Sequence, residues 1–306
     1  MTRRGRTVGR ESLLTILLLL LGGMAVQPLA AIRYRKCYDE DPQAAERRAW
    51  RRLWLPVVPT WLVGAWLCGW ALREPDPVHD RVGAILLVAI CLPFALIAVR
   101  ATFRSVWALI CEPTGYPVCT AGFLHPRIVF SPFLVPALDE KQLRAAWEHE
   151  LAHVRHRDPL RIWLGQLAAD LQWPWPGARE RFTYWLEVLE QARDDEARQC
   201  GISGTDLASA VLIVLRQSSS TSWKEDDGRM NVMIDATLGG DPRALERRIA
   251  RLLSPRLNTD GTLATSRSYS LWLSLTLISV LMATVGLGAI YGESILHPLL
   301  TWTWAI

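Results

Sequence analysis

Three histidines fall within eight residues in the stretch WEHELAHVRHRDP, at His149, His153 and His156. On a helix, His149 and His153 stand one turn apart on one face, where two neutral imidazoles can each reach one ion at about 2.0–2.1 Å. Glu150 follows the first of them, completing an H-E-x-x-H spacing. The chemistry that needs this spacing is zinc-dependent hydrolysis: two imidazoles hold the metal, one coordination position stays open, and the carboxylate takes a proton from water. A solvated helix on which these residues coincide would read the same, so a third ligand is required. His156 is a poor one, because seven residues beyond His149 rise about 10.5 Å, too far for both rings to meet one tetrahedral ion. It is expected at the surface or in a supporting position.

The second source of ligands is RERFTYWLEVLEQARDDEARQ, where Glu190 and Asp194 again lie one turn apart. Glu190 can complete a His, His, Glu site, and Asp194 can accept the second N–H of a ligating imidazole and so fix its tautomer. Glu187, on a neighbouring position of that face, is the alternative ligand. An amphipathic helix with exposed acids would carry the same letters, and only the company of the first helix favours the metal.

The elements that must position these residues follow from local signals. Asp139 and Gln142 form a capping-box pattern at a helix start. Leu143, Trp147, Leu151 and Val154 keep an apolar stripe, and Pro159 stops it. The second helix is bounded by WPWPG before it and Gly201 after it. Upstream, YPVCTAGFLHPRIVFSPFLV reads as two short strands rather than a span, since His125 and Arg127 interrupt it. A peptide substrate is expected to lie extended near residues 126–134.

Composition places this chemistry beside a membrane. Half of the 306 residues are hydrophobic, 15 are tryptophan, and mean hydropathy is +0.14. Uncharged apolar runs cover 13–32, 53–72, 82–99 and 268–291, each near the roughly 20 residues that cross a bilayer. Four such runs would need far more soluble protein to bury them than this chain holds. The expected fold is mainly α: a multi-span helical membrane protein of about four spans with an inserted α+β domain. Residues 1–100 form the membrane region with three spans, 101–267 the metallopeptidase domain, 268–291 the fourth span and 292–306 a short tail.

Arginine and lysine set the orientation. The first loop holds Arg33, Arg35, Lys36, Arg47, Arg48, Arg51 and Arg52, against only Arg73 and Arg81 in the second. This puts the middle domain in the cytoplasm, as do Arg100 and Arg104 at its entry and Arg267 at its exit. Arg3, Arg4, Arg6 and Arg10 dissent: residues 1–31 alone also read as a signal peptide, whose cleavage would invert the arrangement. The net charge of +4 reads as topology information, not as a nucleic-acid surface. The six cysteines form no C-x-x-C pair and read as free thiols.

HELAHVRHRDPL, WPWPGA and EQARDDEA, lying between a third and a fourth span, resemble the BlaR/MecR-type integral-membrane zinc metallopeptidases, an antirepressor family. VCTAGFLHPRIVFSP and ALERRIARLLSP fit the same pattern. The resemblance implies a zincin-like domain in a bacterial inner membrane with a cytoplasmic active site. It implies His149, His153 and Glu190 as ligands of Zn2+, Glu150 as catalytic base and Asp194 as the supporting acid. Arg193 stands where members carry a small residue or Cys, and Asp195 adds an acid, which leaves open whether Asp194 or Asp195 supports the ligands. No serine precedes a lysine by three positions, so the S-x-x-K nucleophile of a penicillin-binding sensor domain is absent from these residues. A stimulus is expected to arrive through a separate sensor protein or through the spans. The expected activity is endoproteolysis of a cytoplasmic protein such as a transcriptional repressor. The alternatives are a quality-control protease of membrane proteins and a non-catalytic membrane transducer.

Overall fold

The computed structural model describes residues 10–31, 41–73, 84–110, 118–122, 125–220, 242–255, 279–292 and 294–295. The amino-terminal arginines Arg3, Arg4 and Arg6, residues 33–40 of the first loop and 74–81 of the second, Arg267, residues 268–278 of the fourth expected span and most of the tail lie outside them. The chain is mainly helical and divides into two compact units.

One unit takes residues 1–32, 55–99 and 258–306. It contains α1 (Arg10–Ala25), α2 (Gln27–Ala31), α4 (Val58–Arg73), the first part of α5 (Ala84–Ile110) and α11 (Ser279–Gly292). Leu67 and Trp70 of α4 are buried against Ile16, Leu19 and Leu20 of α1. Gln27 donates to the Thr60 hydroxyl at 3.0 Å. A side chain on Gly69 would strike the Val285 carbonyl, and one on Gly288 would strike that of Trp66. Glycine therefore lets α4 and α11 meet backbone to backbone, the close approach on which helix pairs rely where solvent gives no hydrophobic drive. Ile85 is 88% and Val99 68% exposed on α5, an unpolar surface that water would penalise.

Among the described residues, two helices are long and apolar enough to cross a membrane by length and composition, Pro42–Trp70 and Val88–Trp107, with shorter apolar helices at Thr15–Leu29 and Ser279–Gly292. The expected run at 53–72 begins differently. Its first two residues, Leu53 and Trp54, close α3 (Pro42–Trp54), and a short 3-10 turn, Leu55–Val57, follows. The described part of the basic first loop, from residue 42 on, is thus helix. α5 likewise continues past Arg100 to Ile110.

The other unit takes residues 33–54 and 100–257 and is built around α8 (Pro176–Gln199). Phe182, Trp185, Leu186 and Leu189 of α8 are buried with Ala45, Ala49 and Leu53 of α3 and Ile162 and Ala168 of α7 (Asp158–Leu171). Small residues on α3 let it lie close along α8, and the wholly buried Trp185 indole fills the junction, a burial worth about 3–5 kcal/mol against alanine. α6 (Glu140–His156) packs on α8, on α9 (Gly204–Ser220) and on the hairpin of β1 (Val118–Ala121) and β2 (Arg127–Phe130). The strands are antiparallel, with Thr120 opposite Ile128, and the reversal uses Gly122 at φ +97°. α10 (Pro242–Leu253) seats Leu252 against Ala145, Ala197, Leu207 and Ala208.

Candidate metal centre

α6 starts where the capping pattern requires. Asp139 accepts from the Gln142 amide at 2.8 Å, and the Asp139 amide donates to the Gln142 side chain at 3.0 Å. The helix ends at Arg157, whose φ of 53° turns the chain directly into α7. That left-handed residue, followed by Pro159 in the first turn of α7, brings Asp158 back against the end of α6. The buried face of α6 carries Ala145, Ala146, His149, Glu150, Ala152 and His153.

α8 meets this face with Glu190 and Asp194. The Nε2 atoms of His149 and His153 are 3.1 Å apart. Glu190 Oε2 lies 3.3 Å from His149 Nε2, and Glu190 Oε1 lies 3.6 Å from His153 Nε2. Ligand atoms bonded to zinc at about 2.0–2.1 Å in a tetrahedral array are roughly 3.3 Å from one another. The two Nε2 atoms and the nearer Glu190 oxygen to each are close to that spacing, and one donor atom from each of the three residues lies within 4.8 Å of the others.

The outer nitrogens are held as well. His149 Nδ1 lies 2.9 Å from Asp194 Oδ1, close without being well aligned for a hydrogen bond. His153 Nδ1 lies 2.8 Å from Asp158 Oδ2. Each imidazole thus turns Nε2 to the common point and Nδ1 to a carboxylate, the arrangement that orients ligating histidines. Asp158 is gripped by Arg193, whose Nη2 donates to Oδ1 at 2.9 Å, and by Arg161 at 3.0 Å. Arg248 of α10 forks onto Asp194 at 2.7 and 2.8 Å and reaches Glu190 at 3.1 Å.

Charge supplies a second test of fit. Glu150, Asp158, Glu190 and Asp194 are buried and so are Arg193 and Arg248; four carboxylates against two guanidinium groups leave two negative charges. A dication matches that excess while both rings stay neutral. Burial alone would lower the His149 pKa, but Asp194 and Glu190 push it up to about 10. Burial alone would raise the Glu190 pKa, but Arg248 and the two histidines bring it down to about 2. Asp194 and Asp158 are held well below the usual carboxylate range against their burial, Asp194 chiefly by Arg248 and Asp158 by His153 and Arg193.

Glu150 is approached from the hairpin. The Thr120 hydroxyl lies 2.7 Å from Glu150 Oε2 and 3.2 Å from its carbonyl oxygen. The strand at this carboxylate is therefore β1, whereas the expected substrate segment, 126–134, falls on and after β2. The remaining acids are engaged elsewhere: Glu187 by Arg247 at 2.8 Å and Asp195 by Arg251 at 3.3 Å. His156 is 42% exposed in its side chain and bonds Glu196 at 2.8 Å.

Asp158, Arg161, Arg248 and Thr120 escaped the sequence reading. Asp158 carried a signal, an acid five residues past His153 beside a proline that starts a new helix. Arg248 sits in ALERRIARLLSP but nothing local tells which of its arginines turns inward. If Arg248 neutralises two buried carboxylates, Arg248→Met should destabilise the metal-free protein by about 3–5 kcal/mol. Zinc, supplying charge at Glu190, should restore part of that loss; the check is thermal unfolding with and without chelator.

Part of the chain is similar to proteins named Protease HtpX homolog. The one from Ralstonia pickettii (strain 12J) is 31% identical over 127 residues, 40% of each chain. That of Ralstonia nicotianae (strain ATCC BAA-1114 / GMI1000) is 32% identical over 127 residues, again 40% of each. That of Methanothermobacter thermautotrophicus is 27% identical over 129 residues, 42% of this chain and 43% of the relative. The chain thus spans about two fifths of the length of the curated relatives it matches. No family model and no solved structure matches it.

Proposed function

We propose that the chain is a membrane-embedded zinc endopeptidase, with His149, His153 and Glu190 as the metal ligands and Glu150 as the general base. The observation that carries this reading is the convergence of one donor atom from each of His149, His153 and Glu190 within 4.8 Å of one another, beside a buried glutamate. The likeness to proteins named as proteases supports it.

A bound zinc ion supplies acidity to water and polarises a peptide carbonyl. The protein does the rest. Asp158 and Asp194 hold the rings of His153 and His149 so that Nε2 of each faces the ion. Glu150 takes a proton from the attacking water and passes it to the leaving amine nitrogen. Thr120 fixes one oxygen of that carboxylate, so the base is aimed before substrate arrives. Among the described residues β1 pairs only with β2, and a substrate strand added to its other edge would run beside Glu150.

The substrate is proposed to be a cytoplasmic protein, a transcriptional repressor in the reading that the BlaR/MecR resemblance favours, with a separate protein as sensor. Breakdown of damaged membrane proteins is the second reading, favoured by the likeness to proteins whose name is simply that of a protease. Purified full-length chain should carry one zinc and cleave an unfolded protein substrate in a chelator-sensitive, zinc-restorable way. A folded chain that holds no zinc would overturn the proposal. Comparing proteomes of cells with active and inactive chain separates the two substrates: one uncut protein points to a repressor, many to quality control.

Thr120→Val should keep zinc and lower turnover about tenfold, the worth of one hydrogen bond to a charged group. Unchanged kcat would mean that the base is aimed by something else.

A further inference from the structure

Glu46 lies on α3, the helix that leads through a 3-10 turn into apolar α4, more than a hundred residues from the histidines in sequence. It is only 6% exposed. Its Oε1 accepts from the Trp185 indole N–H at 3.0 Å and from Arg161 Nη2. The Arg161 guanidinium lies 5.3 Å from the Trp50 ring centroid and 5.7 Å from that of Trp185. Its other nitrogen, Nη1, donates to Asp158 Oδ1 at 3.0 Å. Asp158 is wholly buried, already carries the Arg193 fork, and meets His153 Nδ1 at 2.8 Å. The groups form one continuous chain of contacts: Glu46, Arg161, Asp158, His153.

The charges along it explain why Glu46 is there. Asp158 faces two guanidinium groups, and Arg193 alone is enough to neutralise it. A second cation with no counter-charge would compete with the imidazole N–H for the same carboxylate oxygens. It would also leave an unbalanced positive charge, part-buried, one carboxylate away from the His153 ring. Glu46 supplies the missing negative charge. We propose that Glu46 is a positioning residue for the metal centre, balancing Arg161 so that Asp158 keeps its hold on the His153 ring. This rests on the zinc reading above, and it makes the helix preceding α4 part of the centre's support.

A purely structural role is the competing account, since Glu46 also ties α3 to Trp185. Glu46→Gln separates the two: the amide oxygen can still accept from the indole, while the negative charge is lost. Full-length protein in detergent would be titrated with zinc against a chromophoric chelator, and the visible spectrum of the cobalt-substituted form recorded. Glu46→Gln should weaken zinc binding about tenfold, the low end of what outer partners of ligands contribute, and shift the cobalt bands. Arg161→Gln removes the cation that needs balancing, so adding Glu46→Gln to it should cost no further affinity, which is the signature of a coupled pair. Unchanged zinc affinity in folded Glu46→Gln would overturn the inference, as would an equal further loss when Glu46→Gln is added to Arg161→Gln. Should Glu46→Gln fail to fold, Glu46→Asp, which draws the carboxylate back from Arg161, takes its place: a weakening of zinc binding that disappears in the Arg161→Gln background supports the chain of contacts, and wild-type affinity overturns it. A wild-type chain without zinc would remove the metal reading and this inference together, whereas a zinc-bound wild type with an indifferent Glu46 removes only the latter.

Discussion

Glu150→Gln should retain its zinc and its fold and lose peptide hydrolysis by at least about 10²–10⁴-fold, the contribution of a positioned general acid-base group. Glutamine keeps the length and shape of the side chain, and its oxygen can still accept from Thr120, which lies 2.7 Å from Glu150 Oε2. It cannot take a proton. Glu150 is also not one of the three converging donors, so metal content should be that of the wild type. Two measurements on one preparation make the test: zinc by elemental analysis, and cleavage of an unfolded protein. Wild-type turnover in Glu150→Gln would remove the base from the mechanism. Loss of zinc would place Glu150 among the ligands instead.

His149→Ala and His153→Ala should each abolish zinc binding at micromolar zinc, while His156→Ala should leave it intact. The loss of a direct ligand must exceed the roughly 10–100-fold that an outer partner contributes. Each substitution also opens a gap over a buried acid, Asp194 beneath His149 and Asp158 beneath His153. Both variants should therefore melt at lower temperature than wild type even with chelator present. His156, on the surface with Glu196, should change neither zinc content nor melting appreciably. Equal zinc loss in all three variants would count against Glu190 as the third ligand and for a rearranged end of α6.

The parts of the centre legible in the letters are those set by one helix at a time. The i, i+4 spacing puts His149 with His153, and Glu190 with Asp194, because the helical pitch is set by backbone hydrogen bonds alone. The capping pair at Asp139 and Gln142 and the stop at Pro159 are local in the same way. The strands were legible too, from β-branched residues broken by Gly122. Apolar runs marked where chain could cross a bilayer, but not where helices break. Thus the segment expected as a loop at 33–52 carries α3, whose alanines look unremarkable until they are found under Trp185.

Sequence by itself determined which residues share a face, which acids stand one turn apart and which segments are too apolar for water. Only the tertiary structure decided that Asp194 lies against His149 while Asp158 lies against His153, that Asp195 turns away to Arg251, and that Arg193 grips Asp158. The reason is physical. Which way a face points is local, but what it meets depends on the rotation and separation of packed helices. Those are settled by the summed fit of distant side chains such as Ala45, Ala49, Phe182 and Trp185. A carboxylate shifted by one helical position changes partner altogether, and no short stretch of sequence encodes that choice.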